Sequence, residues 1–351
     1  MMMVMMMVGK YPVKKYYESL KDKRIQCRLC PNDCIIVDGK AGLCHTRINI
    51  EGKLYSTVYG YPCSLHIDPI EKKPLYHYYP GQKILSFGTY GCNLFCLGCQ
   101  NYGITRVDAS KKTEITEIDN LEYYSPEDII NVALKNNIKL IAYTYNEPTI
   151  FFEYMIDIAK LARKKDIKNV IVSNGYINPE PLKELCKYID AANIDLKGIT
   201  EEFYHEYSKT KLKPILETIK TLHKNGIWLE LTNLVIHELN DNPKDIKELC
   251  DWIKNNVGTL TPLHFSRFYP YYHASDIPPT NPQKLEEAKK IALKTGIKYV
   301  YVGNLGFLDN TECSKCGAVL IERDYHDSHI KGLIKKNKCA NCGTVLEGIF
   351  E

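Results

Sequence analysis

Short apolar runs and amphipathic segments alternate along the chain from residue 84 onward. The runs "ILSFGT", "KLIAYTY" and "KNVIVSN" have strand length, and a segment with helical apolar spacing follows each of them. In "SPEDIINVALKNN" a serine cap, a proline at the first helical position and two early acidic residues mark a helix start. Nearly continuous apolar strands between amphipathic helices are typical of parallel sheets covered by helices.

The pattern therefore predicts an α/β fold, a parallel (β/α) barrel of the full or partial TIM type with about six or seven βα units. A doubly wound open sheet is the alternative. In barrels the active site gathers at the carboxyl ends of the strands. Polar residues also belong at strand ends for structural reasons, but here they follow strand after strand. They are Thr89, Asn146, Glu147, Ser173, Asn174, Asp195, Lys197, Thr232, Asn233, Arg267 and Asn304.

The composition of the 351 residues is that of an ordinary globular protein, 44% hydrophobic and 25% charged. A net charge of +4 is too small to indicate nucleic-acid or membrane binding. The opening "MMMVMMMV" is too short to span a bilayer, and we interpret it as a disordered or mis-started terminus. No other stretch approaches the length of a membrane span, so we expect a cytoplasmic protein.

Fourteen cysteines are the most unusual feature of the composition. Clustered CxxC spacing in a cytosolic protein favours metal binding over disulfides. Eleven of the cysteines form three clusters: Cys27, Cys30, Cys34 and Cys44; Cys92, Cys96 and Cys99; and Cys313, Cys316, Cys339 and Cys342.

The central cluster, Cys92, Cys96 and Cys99, lies in the loop after the first barrel strand, "GCNLFCLGCQN". A structural zinc needs four ligands, and the next histidine is as distant as His205. Three thiolates on a [4Fe–4S] cluster leave one iron open to a non-protein ligand. The CxxxCxxC spacing after the first strand therefore predicts a radical S-adenosylmethionine (SAM) enzyme. In such enzymes the cluster reductively cleaves SAM to a 5′-deoxyadenosyl radical that takes hydrogen from a substrate.

Eight motifs in order resemble those of the radical SAM component of the AmmeMemoRadiSam system, a group related to pyruvate formate-lyase activating enzymes. They are "DPIEKKPLYHYYPG", "GCNLFCLGCQN", "YTYNEPTIFFEY", "SNGY", "NIDLKG", "LELTNLVI", "HFSRFYP" and "YVGN". The resemblance implies action with Memo-like and AMMECR-like proteins on an unidentified substrate. The activating enzymes instead imply hydrogen abstraction from a glycine of a partner enzyme. A reduced ferredoxin or flavodoxin is the expected electron donor by analogy.

The resemblance also implies roles for residues at the strand ends. Glu147, with Asn146 before it, matches the end of a Gly-Gly-Glu motif that binds the amino group of SAM. Ser173 and Asn174 match a pair near its ribose or carboxylate, and Asp195 and Lys197 match residues that the activating enzymes place around SAM.

The chain departs from the family pattern at three positions. Tyr145 and Asn146 replace the two glycines, so that only Glu147 is carried over directly. Gly98 stands where an aromatic residue usually precedes the third cysteine. An adenine platform would then come from elsewhere, with Tyr102 or Phe95 as candidates.

The C-terminal cluster consists of two CxxCG turns, which predict a zinc site at Cys313, Cys316, Cys339 and Cys342, with an iron centre as the alternative. The glycine after each pair lets the backbone fold toward the sulfurs. The basic stretch "KGLIKKNK" between the pairs favours a solvated face over a nucleic-acid contact.

The N-terminal cluster, with spacing CxxC-x3-C-x9-C, has enough thiols for zinc or for an auxiliary iron–sulfur cluster, and the sequence leaves both open. Cys186 and Cys250 lie on the apolar faces of predicted helices and are expected to be buried thiols. Cys63, near His66 and Asp68, is a candidate substrate-proximal thiol or an inert loop cysteine.

Two residues of the strand "LHFSRFYP" are candidates for substrate contact, His264 and Arg267. The alternative for His264 is a core histidine. The predicted domains are an N-terminal segment over 1–26, a Cys-rich module over 27–80, the barrel over 81–310 and a zinc-ribbon-like module over 311–351. A non-enzymatic zinc or nucleic-acid-binding protein is the remaining alternative.

Overall fold

The structure is a computed structural model that describes residues 10–106, 121–306, 309–324, 327–335 and 337–350. The predicted disordered start, "MMMVMMMV", lies outside these residues. None of the described helices combines the length and apolar composition needed to cross a bilayer. The chain divides into two compact units. Unit 1 contains residues 1–66, 85–95 and 101–189, and unit 2 contains residues 67–84, 96–100 and 190–351.

Six short strands form the N-terminal part of unit 1, and the apolar pattern did not predict them because most have only two to four residues. They form two antiparallel three-stranded sheets, in the orders β1-β6-β5 and β2-β3-β4. The strands are β1 (Tyr11–Pro12), β2 (Tyr17–Ser19), β3 (Ile25–Cys27), β4 (Ile35–Ile36), β5 (Arg47–Ile50) and β6 (Lys53–Ser56).

Eight further strands follow, and their hydrogen-bonding order is their order in the chain. They are β7 (Ser64–Pro69), β8 (Lys83–Gly88), β9 (Leu140–Tyr143), β10 (Lys168–Ser173), β11 (Ala191–Asp195), β12 (Trp228–Val235), β13 (Leu263–Arg267) and β14 (Val300–Gly303). In unit 1, β9 pairs in parallel with β8 and β10. In unit 2, β11 to β14 pair in parallel, which places Thr232 opposite His264 and His264 opposite Tyr301.

The predicted α/β fold with parallel strands is confirmed. Among the described strands the order ends at β7 on one side and β14 on the other, so the barrel is partial and does not close. The predicted strands "ILSFGT", "KLIAYTY" and "KNVIVSN" are present as β8, β9 and β10, because long apolar runs leave little freedom in where a buried strand can form. The domain boundaries remain a prediction.

The helices begin where the predicted start signals lie. The side chain of Ser125 accepts from the backbone of Asp128 and completes a capping box, and Asn242 and Asn281 cap two later helices. The helical region before Asn225 consists of a short helix, a π-turn (Tyr204–Ser208) and a long helix. The helices are α1 (Tyr102–Thr105), α2 (Pro126–Lys135), α3 (Phe152–Lys164), α4 (Pro179–Leu185), α5 (Glu201–Phe203), α6 (Leu212–Lys224), α7 (Pro243–Asn256) and α8 (Pro282–Thr295).

The two cysteines that we expected to be buried in helices differ in exposure. Cys250, within α7, is fully buried. Cys186 is only partly buried because it caps the C-terminus of α4 instead of lying within the helix.

Five short strands form the C-terminal part of unit 2, and their apolar residues pack against the end of the sheet. The strands are β15 (Thr311–Glu312), β16 (Val319–Arg323), β17 (Ser328–Ile330), β18 (Leu333–Ile334) and β19 (Lys338–Cys339). Tyr76 and Tyr301 share one buried cluster with Cys313, Cys339 and Leu320. The buried guanidinium of Arg323 donates to the carbonyl of Tyr76 at 2.7 Å and lies 4.2 Å from its ring. The cysteine-rich end therefore completes the core of unit 2.

His77 makes the stability of this core depend on pH. Its Nδ1 lies 2.7 Å from the carbonyl of Glu347 and its Nε2 lies 2.5 Å from the hydroxyl of Tyr301, so a neutral ring donates to the first and accepts from the second. Burial lowers the pKa of His77 to about 4. Below pH 6.5, the ordinary pKa of histidine, His77 binds a proton in the unfolded chain but stays mostly neutral in the folded protein until the pH approaches 4. We expect the free energy of unfolding to fall by about 3 kcal/mol between pH 6.5 and pH 4 through this residue.

Urea unfolding of wild type and His77→Asn across this range measures the effect. His77→Asn should be less stable than wild type at pH 6.5, but its free energy of unfolding should fall less on acidification. The matched control is His223→Asn, at an exposed histidine of α6, which should follow wild type. Equal slopes for His77→Asn and wild type would contradict the prediction.

Candidate active site

Cys92 lies near the start of the loop that follows β8, and two hydrogen-bond donors point toward its sulfur. The backbone N–H of Leu94 points to its Sγ at 3.4 Å, and the amide nitrogen of Asn174 lies 3.9 Å away. Donors directed at a ligating sulfur stabilise the thiolate and help set the reduction potential of a cluster bound to it. The surroundings of Cys92 therefore fit a metal-bound thiolate.

Asn93 fixes this loop and is a residue that sequence reasoning missed. It is fully buried, its Oδ1 accepts from Asn174 at 2.9 Å, and its Nδ2 donates to the carbonyl of Tyr176 at 2.8 Å. The signal in the sequence was a polar residue between two apolar positions of a loop, which is too common to single out. These two hydrogen bonds of Asn93 join the Cys92 loop to the end of β10.

Asn146 braces the same loop from the end of β9. Its Oδ1 accepts from the backbone N–H of Thr89 at 3.2 Å, and its Nδ2 donates to the carbonyl of Gly91 at 2.9 Å. The residue before it, Tyr145, has a φ of 67°. A glycine would be the usual residue at this φ, which agrees with the family pattern that Tyr145 replaces.

Glu147 is completely buried, and four protein groups donate to its carboxylate. Oε1 accepts from the backbone and hydroxyl of Thr149 at 2.9 and 2.7 Å and from Ser173 at 2.8 Å. Oε2 accepts from the backbone N–H of Asn174 at 2.8 Å. Burial raises the pKa of Glu147, although these hydrogen bonds oppose the rise. The carboxylate thus holds the predicted pair Ser173 and Asn174 in place.

In unit 2, Lys197 and Asp195 form an ion pair at 2.7 Å next to Cys96. Burial lowers the pKa of Lys197, but the carboxylate of Asp195 and the thiol of Cys96 outweigh it and keep the pKa above its ordinary value. An ammonium beside Cys96 suits an anionic ligand set at that sulfur.

The packing around Gly98 explains why no aromatic side chain stands there. A Cβ added at Gly98 would lie 2.6 Å from the ring of Phe268 and 2.9 Å from the hydroxyl of Tyr207. Phe268 and Tyr207 are buried, so these two rings fill the space beside the third cysteine. In unit 1, Tyr102 is 46% exposed, and the ring of Phe95 is covered by Arg106. Their role as an adenine platform stays a prediction.

Unit 2 contains a cavity of about 560 Å³ beside β12, β13 and β14. Its volume is that of a pocket for a small molecule or for part of a larger one. Polar and aromatic groups both line it, among them Lys72, Tyr76, Thr232, His264, Ser266, Tyr269 and Asn304.

His264 lines this cavity and is held by a buried carboxylate. Its Nε2 lies 2.7 Å from Oε2 of Glu230, which is fully buried. Glu230 also accepts from the backbone of Tyr76 and His77 at 3.0 and 2.8 Å and from the indole of Trp228 at 3.1 Å. Burial raises the pKa of Glu230, but these partners, led by His264, bring it below its ordinary value.

Glu230 was missed by sequence reasoning although a signal was present. It is the single charged residue in the apolar strand "IWLELTNLVI". A buried charge in such a strand needs partners, and these come from elements far along the chain.

Arg267 and Cys63 were the other candidate residues. The Nε of Arg267 donates to the carbonyl of Thr280 at 2.8 Å, and its guanidinium lies 4.9 Å from the ring of Tyr269, which lines the cavity. Cys63 donates weakly to the carbonyl of Gly88 at 3.6 Å, and burial raises the pKa of Cys63 to about 11. A thiol with that pKa is a poor nucleophile at neutral pH.

The four C-terminal cysteines come together as a compact set. The sulfurs of Cys313 and Cys342 lie 3.6 Å apart, those of Cys316 and Cys339 lie 3.7 Å apart, and all four lie within 4.8 Å of one another. Tetrahedral zinc with bonds of about 2.3 Å holds its thiolates roughly 3.8 Å apart. The glycine after each pair has a φ of 72°, as the predicted turn requires.

Comparison with known proteins places the chain in a family. The protein-family model described as "Radical SAM superfamily" matches residues 87–253 of the chain. The uncharacterized protein MJ0808 of Methanocaldococcus jannaschii is 43% identical over 337 residues, which cover 95% of this chain and 98% of that protein. The chain belongs to the family of that protein and carries a radical SAM domain. The family implies a [4Fe–4S] cluster and SAM.

Two activating enzymes are more distant relatives. The 4-hydroxyphenylacetate decarboxylase activating enzyme of Clostridium scatologenes is 26% identical over 47% of this chain and 56% of that enzyme. The pyruvate formate-lyase-activating enzyme of Clostridium pasteurianum is 23% identical over 53% of this chain and 76% of that enzyme. The predicted radical SAM domain and the relation to activating enzymes are confirmed, whereas membership in the AmmeMemoRadiSam system stays a prediction.

The packing at Gly98 can be tested by substitution. Gly98→Ala would place its Cβ against the buried ring of Phe268, and we expect a loss of about 1–3 kcal/mol in the free energy of unfolding. Denaturant unfolding measures it. The control is Gly103→Ala in α1, where an added Cβ meets nothing within 4 Å. Equal stability of the two variants would contradict the close packing, and Phe268→Leu should partly rescue Gly98→Ala.

Proposed function

We propose that the protein is a radical SAM enzyme whose [4Fe–4S] cluster is held by Cys92, Cys96 and Cys99. Two observations at residues inside the matched region support this: hydrogen-bond donors point to the sulfur of Cys92, and the partly buried ammonium of Lys197 lies near Cys96. When bound, the cluster and SAM supply a 5′-deoxyadenosyl radical that abstracts hydrogen from the substrate.

The residues at the strand ends would contribute to SAM binding in two ways, because some hold the site in place and others would contact SAM. Glu147 acts chiefly as a positioning residue, because it accepts from Ser173 and Asn174 and has no exposed surface. Asn146 holds the cysteine loop. Ser173, Asn174, Asp195 and Lys197 remain the candidates for direct contact with SAM. A carboxylate or a charged amine is suited to the ends of an amino-acid moiety.

We infer that the cavity of unit 2 receives the substrate. His264 uses Nε2 toward Glu230 and lines the cavity. Its other ring nitrogen, Nδ1, would be the group that forms a hydrogen bond with a bound molecule. Arg267 would act on the same cavity through Tyr269.

The partners and setting of the reaction are also proposals. We propose a ferredoxin or flavodoxin as electron donor, a cytoplasmic location, and joint action with Memo-like and AMMECR-like proteins. The similarity to two activating enzymes favours a second candidate function, formation of a glycyl radical on a partner enzyme. An EPR signal of a glycyl radical on mixing with such a partner would favour the second candidate.

Replacement of Cys92 tests the proposed catalytic site. Cys92→Ala removes one of three cluster ligands, and we expect anaerobic release of 5′-deoxyadenosine from SAM to fall at least a hundredfold. Product is measured by chromatography after reduction with dithionite. Cys186→Ala, at a thiol outside the site, serves as control and should keep wild-type release. Undiminished release by Cys92→Ala would refute the assignment.

The C-terminal thiols are proposed to bind one structural zinc. Loss of a ligand in Cys316→Ser should remove about one zinc per chain and lower the melting temperature, because Cys313 and Cys339 belong to the buried cluster around Tyr76. Elemental analysis and calorimetry measure both effects, again with Cys186→Ser as control. Iron instead of zinc in wild type at this site would overturn the assignment.

A further inference from the structure

The four N-terminal cysteines converge on one small cavity in unit 1. Cys27 ends β3, Cys30 and Cys34 lie in the loop to β4, and Cys44 comes from the loop before β5. All four line a cavity of about 20 Å³, together with Arg47 and Asn32. The backbone N–H of Cys27 donates to the carbonyl of Cys34 at 2.9 Å, which closes the loop around the cavity. The fold therefore gathers these thiols into a single site.

The sulfurs of this site are spaced differently from those of the C-terminal set. Over the ranges that the structure describes, three or more potential ligand atoms within 4.8 Å of one another occur at Cys313, Cys316, Cys339 and Cys342, and the N-terminal thiols do not form such a group. A single zinc ion would draw its four sulfurs to roughly 3.8 Å. A cluster of four irons takes each thiolate on a different iron and so holds the sulfurs farther apart.

Arg47 adds an independent indication of an occupant. Its side chain is only 2% exposed and lines the same cavity. Nη2 donates to Glu153 at 2.5 Å, but Nε and Nη1 have no hydrogen-bond partner among the described residues. Leaving charged donors unpaired in the interior is costly, so an anionic partner beside them is expected. A centre with four thiolates supplies that charge, and sulfurs of which no three lie within 4.8 Å of one another favour iron over zinc.

We propose that Cys27, Cys30, Cys34 and Cys44 ligate a second [4Fe–4S] cluster, with Arg47 donating to its sulfurs. The four thiols lose their protons to the solvent when they bind the irons. This assignment depends only on the N-terminal residues.

A short connection links this site to Cys92. The amide nitrogen of Asn32, two residues after Cys30, donates to the backbone carbonyl of Asn93 at 2.8 Å. One hydrogen bond thus joins the segment Cys30–Pro31–Asn32 to the peptide next to Cys92. Both segments belong to unit 1.

This connection gives the second cluster a role as an electron relay, which rests on the proposed function of Cys92. The reduced cluster held by Cys27, Cys30, Cys34 and Cys44 would supply one electron to the oxidised cluster held by Cys92, Cys96 and Cys99. A low-potential one-electron donor protein would then return one electron to the N-terminal cluster. No proton or bond changes in this step.

The metal assignment is tested on the full chain, reconstituted with iron and sulfide without oxygen. In the triple variant Cys92→Ala/Cys96→Ala/Cys99→Ala we expect about four irons and four sulfides per chain. After reduction this variant should give the EPR signal of a [4Fe–4S]⁺ cluster. Zinc without iron at the N-terminal thiols would overturn the proposal.

If the triple variant fails to fold, wild type and a second variant still test the metal assignment. Wild type should bind about eight irons, and Cys30→Ser/Cys34→Ser about four. About four irons in both proteins would refute the second cluster. A failure of the proposed cluster at Cys92 would give a different result. Wild type would then bind about four irons, the triple variant would keep them, and Cys30→Ser/Cys34→Ser would lose them.

Substitutions of Arg47 and Asn32 test two further parts of the proposal, the contact of Arg47 with the second cluster and electron transfer through the connection at Asn32. Arg47→Gln removes a positive charge near the second cluster and should lower its reduction potential, while Arg47→Lys should keep it closer to wild type. Potentials are measured by EPR-monitored titration of the triple variant. Asn32→Ala should slow reduction of the cluster at Cys92 by a donor protein, but should leave iron content unchanged. Unchanged potentials in Arg47→Gln would exclude its contact with the cluster.

Discussion

A fully buried carboxylate, Glu147, holds the Cys92 side of unit 1 together. A charge without solvent must find its partners in the protein, and Glu147 finds them in Thr149, Ser173 and Asn174. This requirement fixes the ends of β9 and β10 against each other. Asn174 is thereby placed between Asn93 and the sulfur of Cys92. The chemistry proposed at the cysteine loop depends on this chain of hydrogen bonds.

Unit 2 uses the same device around Glu230. The carboxylate pairs with Trp228, His264 and the backbone of Tyr76, and of these His264 and Tyr76 form part of the cavity wall. Arg323 then ties the C-terminal strands to Tyr76 on that wall. Cys313 and Cys339 of the C-terminal four-thiol site belong to the same buried cluster as Tyr76, although none of the site's cysteines is among the cavity-lining residues.

The two four-thiol sites contain the same ligand atoms and differ in how the backbone spaces them. At the C-terminus two tight turns bring the sulfurs to distances that suit one ion. At the N-terminus the thiols come from one strand end and two loops and surround a cavity with a buried arginine. Ligand type alone does not select the metal, because thiolates bind both zinc and iron–sulfur clusters. In the proposed assignment, the spacing of the sulfurs and the charge of neighbouring residues distinguish the two sites.

The sequence by itself determined the parallel strands and helices, the helix caps and the three cysteine clusters. These features are local: apolar period, capping side chains and CxxC spacing are set by neighbours in the chain. It did not reveal the short N-terminal strands, whose two to four residues carry no usable period. Nor did it indicate the roles of Asn93, Glu230, Arg47 and Phe268. Only the tertiary structure decided these, because the partners of a buried charge or the neighbours of a glycine come from segments far apart in the chain.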